Sequence, residues 1–156
     1  MYCETSEELV DKFKKEVAKV LKTEHIFFKW NGSGDIPYFN DDYRSDKTYP
    51  YIGRLTIGNI LGVSFTEMPS CCGIVIASSF YVTGEHYFNE SLWSILDRIA
   101  ENMGYLLGYS SVFITDIDDN ITHVNSLDKN NWTQVRSVVN SRTGNNIIVF
   151  TKDIKR

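Results

Sequence analysis

The segment from Cys71 to Ile117 constrains the chain most, because it reads as strand, helix and strand in an order that leaves little freedom of topology. Cys71 to Phe80 has a near-continuous apolar centre, Gly73-Ile-Val-Ile-Ala77, the pattern of a strand buried on both faces in the middle of a sheet. Residues 90–103 follow as an amphipathic helix. Asn89 stands at its N-cap, Leu92, Ile95, Leu96, Ile99 and Met103 form one stripe, and Gly104 is placed to end it. Ser111 to Ile117 is a second apolar strand. A crossover of this kind sets its two strands parallel.

Other elements arrange themselves around that unit. Residues 6–22 have Leu9, Phe13, Val17 and Val20 at helical spacing, with Thr5 and Glu8 at capping-box separation and Lys19 and Lys22 near the end. His25 to Trp30 is a short strand that ends in the turn cluster Asn31-Gly-Ser-Gly-Asp35, and residues 35–50 form a long loop rich in Asp, Tyr, Asn and Pro. Tyr51–Ile57 and Ile60–Thr66 form a hairpin around Gly58-Asn59. A weakly patterned helix spans about 121–130. Trp132 to Val139 and Asn146 to Lys152 close the chain as a second hairpin, with Arg142, Gly144 and Asn145 in its turn. At 156 residues these elements fit one domain, 1–156. The fold class is α/β (α+β): a mixed, mostly antiparallel sheet with a central parallel pair and two or three helices.

Composition narrows the partners. A net charge of −4 argues against direct nucleic-acid binding, which rests on clustered Lys and Arg. No apolar run approaches the roughly 20 residues that span a bilayer, and the charged start lacks a secretory pattern, so a cytoplasmic location is expected. Cys3, Cys71 and Cys72 cannot all pair, which fits a reducing compartment.

The order of elements, together with Asn140-Ser-Arg-Thr-Gly-Asn145 between alternating strands, Trp132 opening the first and Ile147-Ile-Val-Phe-Thr-Lys152 forming the second, resembles the GCN5-related N-acetyltransferase (GNAT) family. More narrowly it is similar to the small acetyltransferase-like proteins of bacteriophages, whose setting is the host cytoplasm. The detailed likeness covers about residues 90–154. It implies that acetyl-coenzyme A lies between the central strand and the next parallel strand, with Ile76, Ala77, Ser78 and Ser79 along its pantetheine and Thr83 and Gly84 near its phosphates. The family's Gln/Arg-x-x-Gly-x-Gly/Ala phosphate loop is not present. Tyr81-Val-Thr-Gly-Glu-His-Tyr-Phe88 stands in its place, with one glycine and no Arg or Lys. The family's Tyr general acid has no clear counterpart either.

Three functional readings follow. In the first, the chain transfers acetyl to an amine, and Glu85 or His86 at the mouth of the cleft takes the amine proton; the plainer reading of both is a polar loop before a helix. In the second, it is a catalytically inactive scaffold that binds or inhibits a host or viral protein, one with a basic surface, through its acidic surface and the aromatic loop 35–51. In the third, Asp116, Asp118 and Asp119 after an apolar strand hold a divalent metal for a transferase. Asp and Asn are also favoured in turns with no ligand at all. No zinc spacing, Walker loop or nucleophile elbow occurs, and Cys71 and Cys72 have no base nearby in sequence. Arg142 is weighed as a turn residue or as a contact for an acidic ligand.

Overall fold

The computed structural model describes residues 2–24, 26–31, 51–58, 60–68, 74–82 and 89–156. The elements run α1 (Ser6–Leu21), β1 (Phe28–Asn31), β2 (Tyr51–Ile57), β3 (Leu61–Met68), β4 (Ile74–Val82), α2 (Glu90–Leu106), β5 (Ser111–Ile117), α3 (Ile121–Lys129), β6 (Thr133–Val139) and β7 (Asn146–Asp153). The strands form one seven-stranded sheet in the order β1-β2-β3-β4-β5-β7-β6. Every neighbouring pair is antiparallel except β4 and β5, which are parallel, as the crossover requires. The fold is therefore the mixed, mostly antiparallel arrangement expected from the element order. The long loop 35–50, with Pro50 and most of Asn31–Asp35, lies outside the described residues.

α1 begins where its sequence says it should. Thr5 Oγ1 accepts from the Glu8 amide at 3.1 Å, and Glu8 Oε2 reaches back to the Glu4 amide at 2.9 Å. Leu9, Phe13 and Val17 are buried on the stripe, each such burial stabilising by about 1.5–3 kcal/mol. They join Leu55 and Ile57 of β2, Leu61, Val63 and Phe65 of β3, Val112 and Ile114 of β5 and Phe150 of β7 in one core. On the strands these residues alternate, so one face of the sheet carries them. α2 packs on β4 and β5 and is flanked by α1 and α3.

The structure corrects several boundaries. Gly104 does not end α2; the helix passes through it to Leu106. A Cβ on Gly104 would stand 2.4 Å from Val112 Cγ2 and 2.7 Å from Ile154 Cδ1, so the glycine is there to let helix and strand approach. The true stop is Gly108, at φ +81°, in a Schellman motif where Gly108 N–H donates to the Tyr105 carbonyl and Tyr109 N–H to that of Gly104. β3 starts at Leu61, so Ile60 stands before the second strand of the first hairpin and not within it, and its N–H donates to the Ile57 carbonyl at 3.1 Å. β4 runs on to Val82 because Tyr81 and Val82, good strand formers, pair with Gly62 and Leu61. β3 also extends to Met68, and β1 starts at Phe28.

In the closing hairpin, Gly144 takes φ +75°, and Asn140 Oδ1 accepts from the Arg142 amide at 2.9 Å. Arg142 itself is exposed. β6 is the outermost strand on that side, exposed at every position, with a register shift between Gln134 and Arg136. Among the described residues no helix is long and apolar enough to cross a membrane.

Candidate functional site

β4 and β5 stay together only briefly. Val75 faces Val112, Ile76 faces Phe113 and Ala77 faces Ile114, and there the ladder stops. β4 continues past Ala77 to Val82 and β5 past Ile114 to Ile117. Over that stretch each strand keeps its outer neighbour: Ser78 pairs with Ser64 and Tyr81 with Gly62 of β3, while Thr115, Asp116 and Ile117 pair with Val149, Ile148 and Ile147 of β7. The sheet thus parts between its two parallel strands. On the facing edges beyond those positions the two strands no longer pair with each other.

Of the residues proposed along this opening, Ile76 and Ala77 lie in the last paired positions, and Ser78 and Ser79 lie on β4 just past them. Thr83, Gly84, Glu85 and His86 lie outside the described residues. On the far side of that segment α2 begins at Asn89, whose side chain accepts from the Leu92 amide at 3.2 Å.

The three aspartates after β5 go separate ways. Asp118 Oδ2 accepts from Asn146 Nδ2 at 3.2 Å, and Asp119 is exposed. Asp116 turns inward. Its Oδ1 accepts from the Ile117 amide at 2.7 Å, and its Oδ2 accepts from Asn120 Nδ2 at 2.7 Å and faces His123 Nδ1 at 2.6 Å. Among the described residues no group of three His, Cys, Asp or Glu side chains could hold a metal ion. The Asp116 and Asp118 carboxylates therefore serve the turn and the start of α3, and the metal-centre reading of Asp116, Asp118 and Asp119 has no support in their geometry.

What the structure adds is a buried charged cluster that sequence spacing did not reveal. His123, fully buried, faces Asp116 with Nδ1 and Asp97 with Nε2, the latter at 2.7 Å from Oδ1. Its ring stacks on Trp93, centroids 4.3 Å apart and planes 18° from parallel. Asn120 caps α3, accepting from the His123 amide at 3.3 Å. Carboxylates only accept, so with both of them ionised a ring flanked at this range donates from both nitrogens, as an imidazolium does. Burial pulls the His123 pKa down, but the charge of Asp97 and the hydrogen bonds to Asp116 and Asp97 outweigh it and push the value up to about 9. Burial pushes the Asp97 carboxyl up despite the opposing pull of His123. Asp97 Oδ2 is buried with no hydrogen-bond partner among the described residues.

One signal for this cluster was present in the chain. Trp93, Asp97, Ala100 and Gly104 share a helical face and are all buried, so Asp97 is a carboxylate among apolar neighbours of α2. Such a residue demands a partner.

No protein-family model and no curated protein sequence matches the chain. Solved structures do. An N-acetyltransferase from Staphylococcus aureus Mu50 is similar with a TM-score of 0.57 at 12% identity, over 83% of this chain and 98% of that one. The IAA acetyltransferase from Bacillus cereus ATCC 14579 gives 0.56 at 9% identity, over 83% and 99%. The ribosomal-protein-S18-alanine N-acetyltransferase from Escherichia coli gives 0.52 at 6%, over 83% and 96%. With the parallel pair at the centre of an otherwise antiparallel sheet and a strand break between its members, the chain has the GNAT-like fold.

Proposed function

We propose that the chain is a single-domain N-acetyltransferase of the small bacteriophage type, which moves an acetyl group from acetyl-coenzyme A to an amine. The observation that carries this reading is the parting of β4 and β5 beyond Ala77 and Ile114. Strand edges that have parted fit the amides of a pantetheine arm, with Ser78 and Ser79 of β4 along it and Ile76 and Ala77 at the closed end of the opening. When bound, acetyl-coenzyme A supplies the thioester whose C–S bond breaks as the new C–N bond forms. Glu85 or His86 takes the proton that the amine nitrogen gives up, and Thr83 and Gly84 offer backbone N–H groups to the phosphates. Fold likeness alone does not establish activity; the strand edges give the reading its physical content.

A second reading draws on a specific feature of the same segment. Tyr81 to Phe88 has no Arg or Lys and carries Glu85, which repels phosphate, and the chain as a whole is acidic. On that reading the fold is a scaffold that binds a host or viral protein with a basic surface.

Isothermal titration with acetyl-coenzyme A separates the two. Saturable binding that Gly84→Arg abolishes supports the transferase and puts the phosphates beside Gly84. Absence of binding to the unmodified protein overturns the transferase and favours the scaffold.

A further inference from the structure

Where β4 and β5 part, the end of β5 loses its neighbour on one side, and among the described residues only β7 pairs with it in the sheet. Something must fix how far it stands from β4. Asp116 lies on this free stretch, and alternation turns it to the same side as the buried Val112 and Ile114, toward α2. It is tied there through His123 to Asp97 of α2, and α2 in turn packs on β4. The path from β4 to α2 to His123 to Asp116 spans the opening from behind. Stacking on Trp93 fixes the plane of the ring, and Asn120 joins the start of α3 to the same carboxylate.

We infer that His123 is a positioning residue for acetyl transfer: it clamps the end of β5 and the start of α3 to α2, and thereby sets the width of the opening between β4 and β5. This inference rests on the acetyltransferase reading above. His123 touches no substrate; it is fully buried and acts through Asp116. A neutral imidazole donates from one nitrogen only, so loss of the ring proton releases one of the two carboxylates and slackens the clamp. The charged groups acting on it are Asp97 from α2 and Asp116 from β5; Lys152 of β7 acts on Asp97 and is itself paired with Glu101 of α2 at 3.1 Å.

The test is titration of the full chain with acetyl-coenzyme A across pH, for the unmodified protein, His123→Gln and Asp116→Asn, with melting temperatures recorded beside each. Asp116→Asn keeps an acceptor for the Ile117 amide but takes the carboxylate away from His123. The unmodified protein is expected to hold constant affinity from about pH 6 to 8 and to lose about tenfold beyond about pH 9, since small displacements of a binding edge are costly. Both variants bind about tenfold more weakly at neutral pH, and the alkaline loss disappears in His123→Gln. Variants that melt lower but bind with unchanged affinity and an unchanged pH profile overturn the inference and leave the transferase standing. If neither variant folds, the pH profile of the unmodified protein decides, and a flat profile overturns the inference. No binding by the unmodified protein at any pH overturns this inference together with the transferase reading.

Discussion

Gly104 on α2 and Val112 on β5 approach so closely that the smallest side chain would not fit between them, with 2.4 Å from a Cβ at position 104 to Val112 Cγ2. Ala in a helix interior is ordinarily better than Gly by about 1 kcal/mol. Here overpacking wins, because Val112 is fully buried and β-branched and cannot swing aside. Gly104→Ala should destabilise by about 1–3 kcal/mol in urea unfolding. Val112→Ala should relieve part of that loss, so the double variant falls short of the sum of the two single changes.

Asn120 has two tasks at the start of α3, accepting from the His123 amide and donating to Asp116. Asn120→Ala should cost at least the ~1 kcal/mol of a lost cap, and more than Asn89→Ala, which removes only the cap of α2. Paired denaturation curves of the two variants would read the difference. Equal losses would show that the Asp116 contact contributes nothing.

Stability should also depend on pH through His123. Its folded pKa, about 9, lies above the ordinary 6.5, so the folded state holds the proton more tightly. The contribution is fully present below about pH 6.5 and is lost as pH rises through about 9. Unfolding free energies measured across this window should fall with pH, and subtracting the curve of His123→Gln should isolate that component as a slope in the difference. A difference curve with no slope there would contradict the charged ring.

Arg156 lies 4.7 Å over the Tyr105 ring and donates from Nη2 to the carbonyls of Tyr105 at 2.8 Å and Tyr109 at 3.0 Å. These carbonyls close the C-terminal end of α2, where a cation is favoured. Arg156→Ala should lower the melting temperature by a few degrees, about 1 kcal/mol, and Arg156→Lys should restore only part of it because an ammonium lacks the planar guanidinium that lies over the Tyr105 ring. Full restoration by Lys would reduce the contact to charge alone.

Strand and helix existence was legible because it depends on local pattern. Ser111 to Ile117 is a strand with the bounds its apolar run implies, and the parallel pairing with β4 follows from the crossover. Gly104 misled because a glycine near a helix end signals a stop, whereas its true reason is a neighbour in space that local pattern does not contain. The Asp116 turn shows the same limit. Its carboxylate answers to His123 and Asn120, while the shared partner Asp97 lies 26 residues from His123 in the chain, so three separate elements had to be assembled before the cluster existed. The opening between β4 and β5 was implied by family likeness and not by any residue, since a ladder that stops carries no compositional mark.

The outer edge of β6 governs how this molecule meets copies of itself. A strand paired on one side only among the described residues, with Val135, Val138 and Val139 exposed, would ordinarily invite a second chain to add on and begin a growing ribbon. The register shift between Gln134 and Arg136 interrupts the repeat that such growth needs, and the exposed guanidinium at Arg136 sets like charge against like when two such edges align antiparallel about that residue. The last strand of the sheet is thereby built as a terminus in the literal sense, with a bulge and a charge set against growth of the hydrogen-bonded array beyond it.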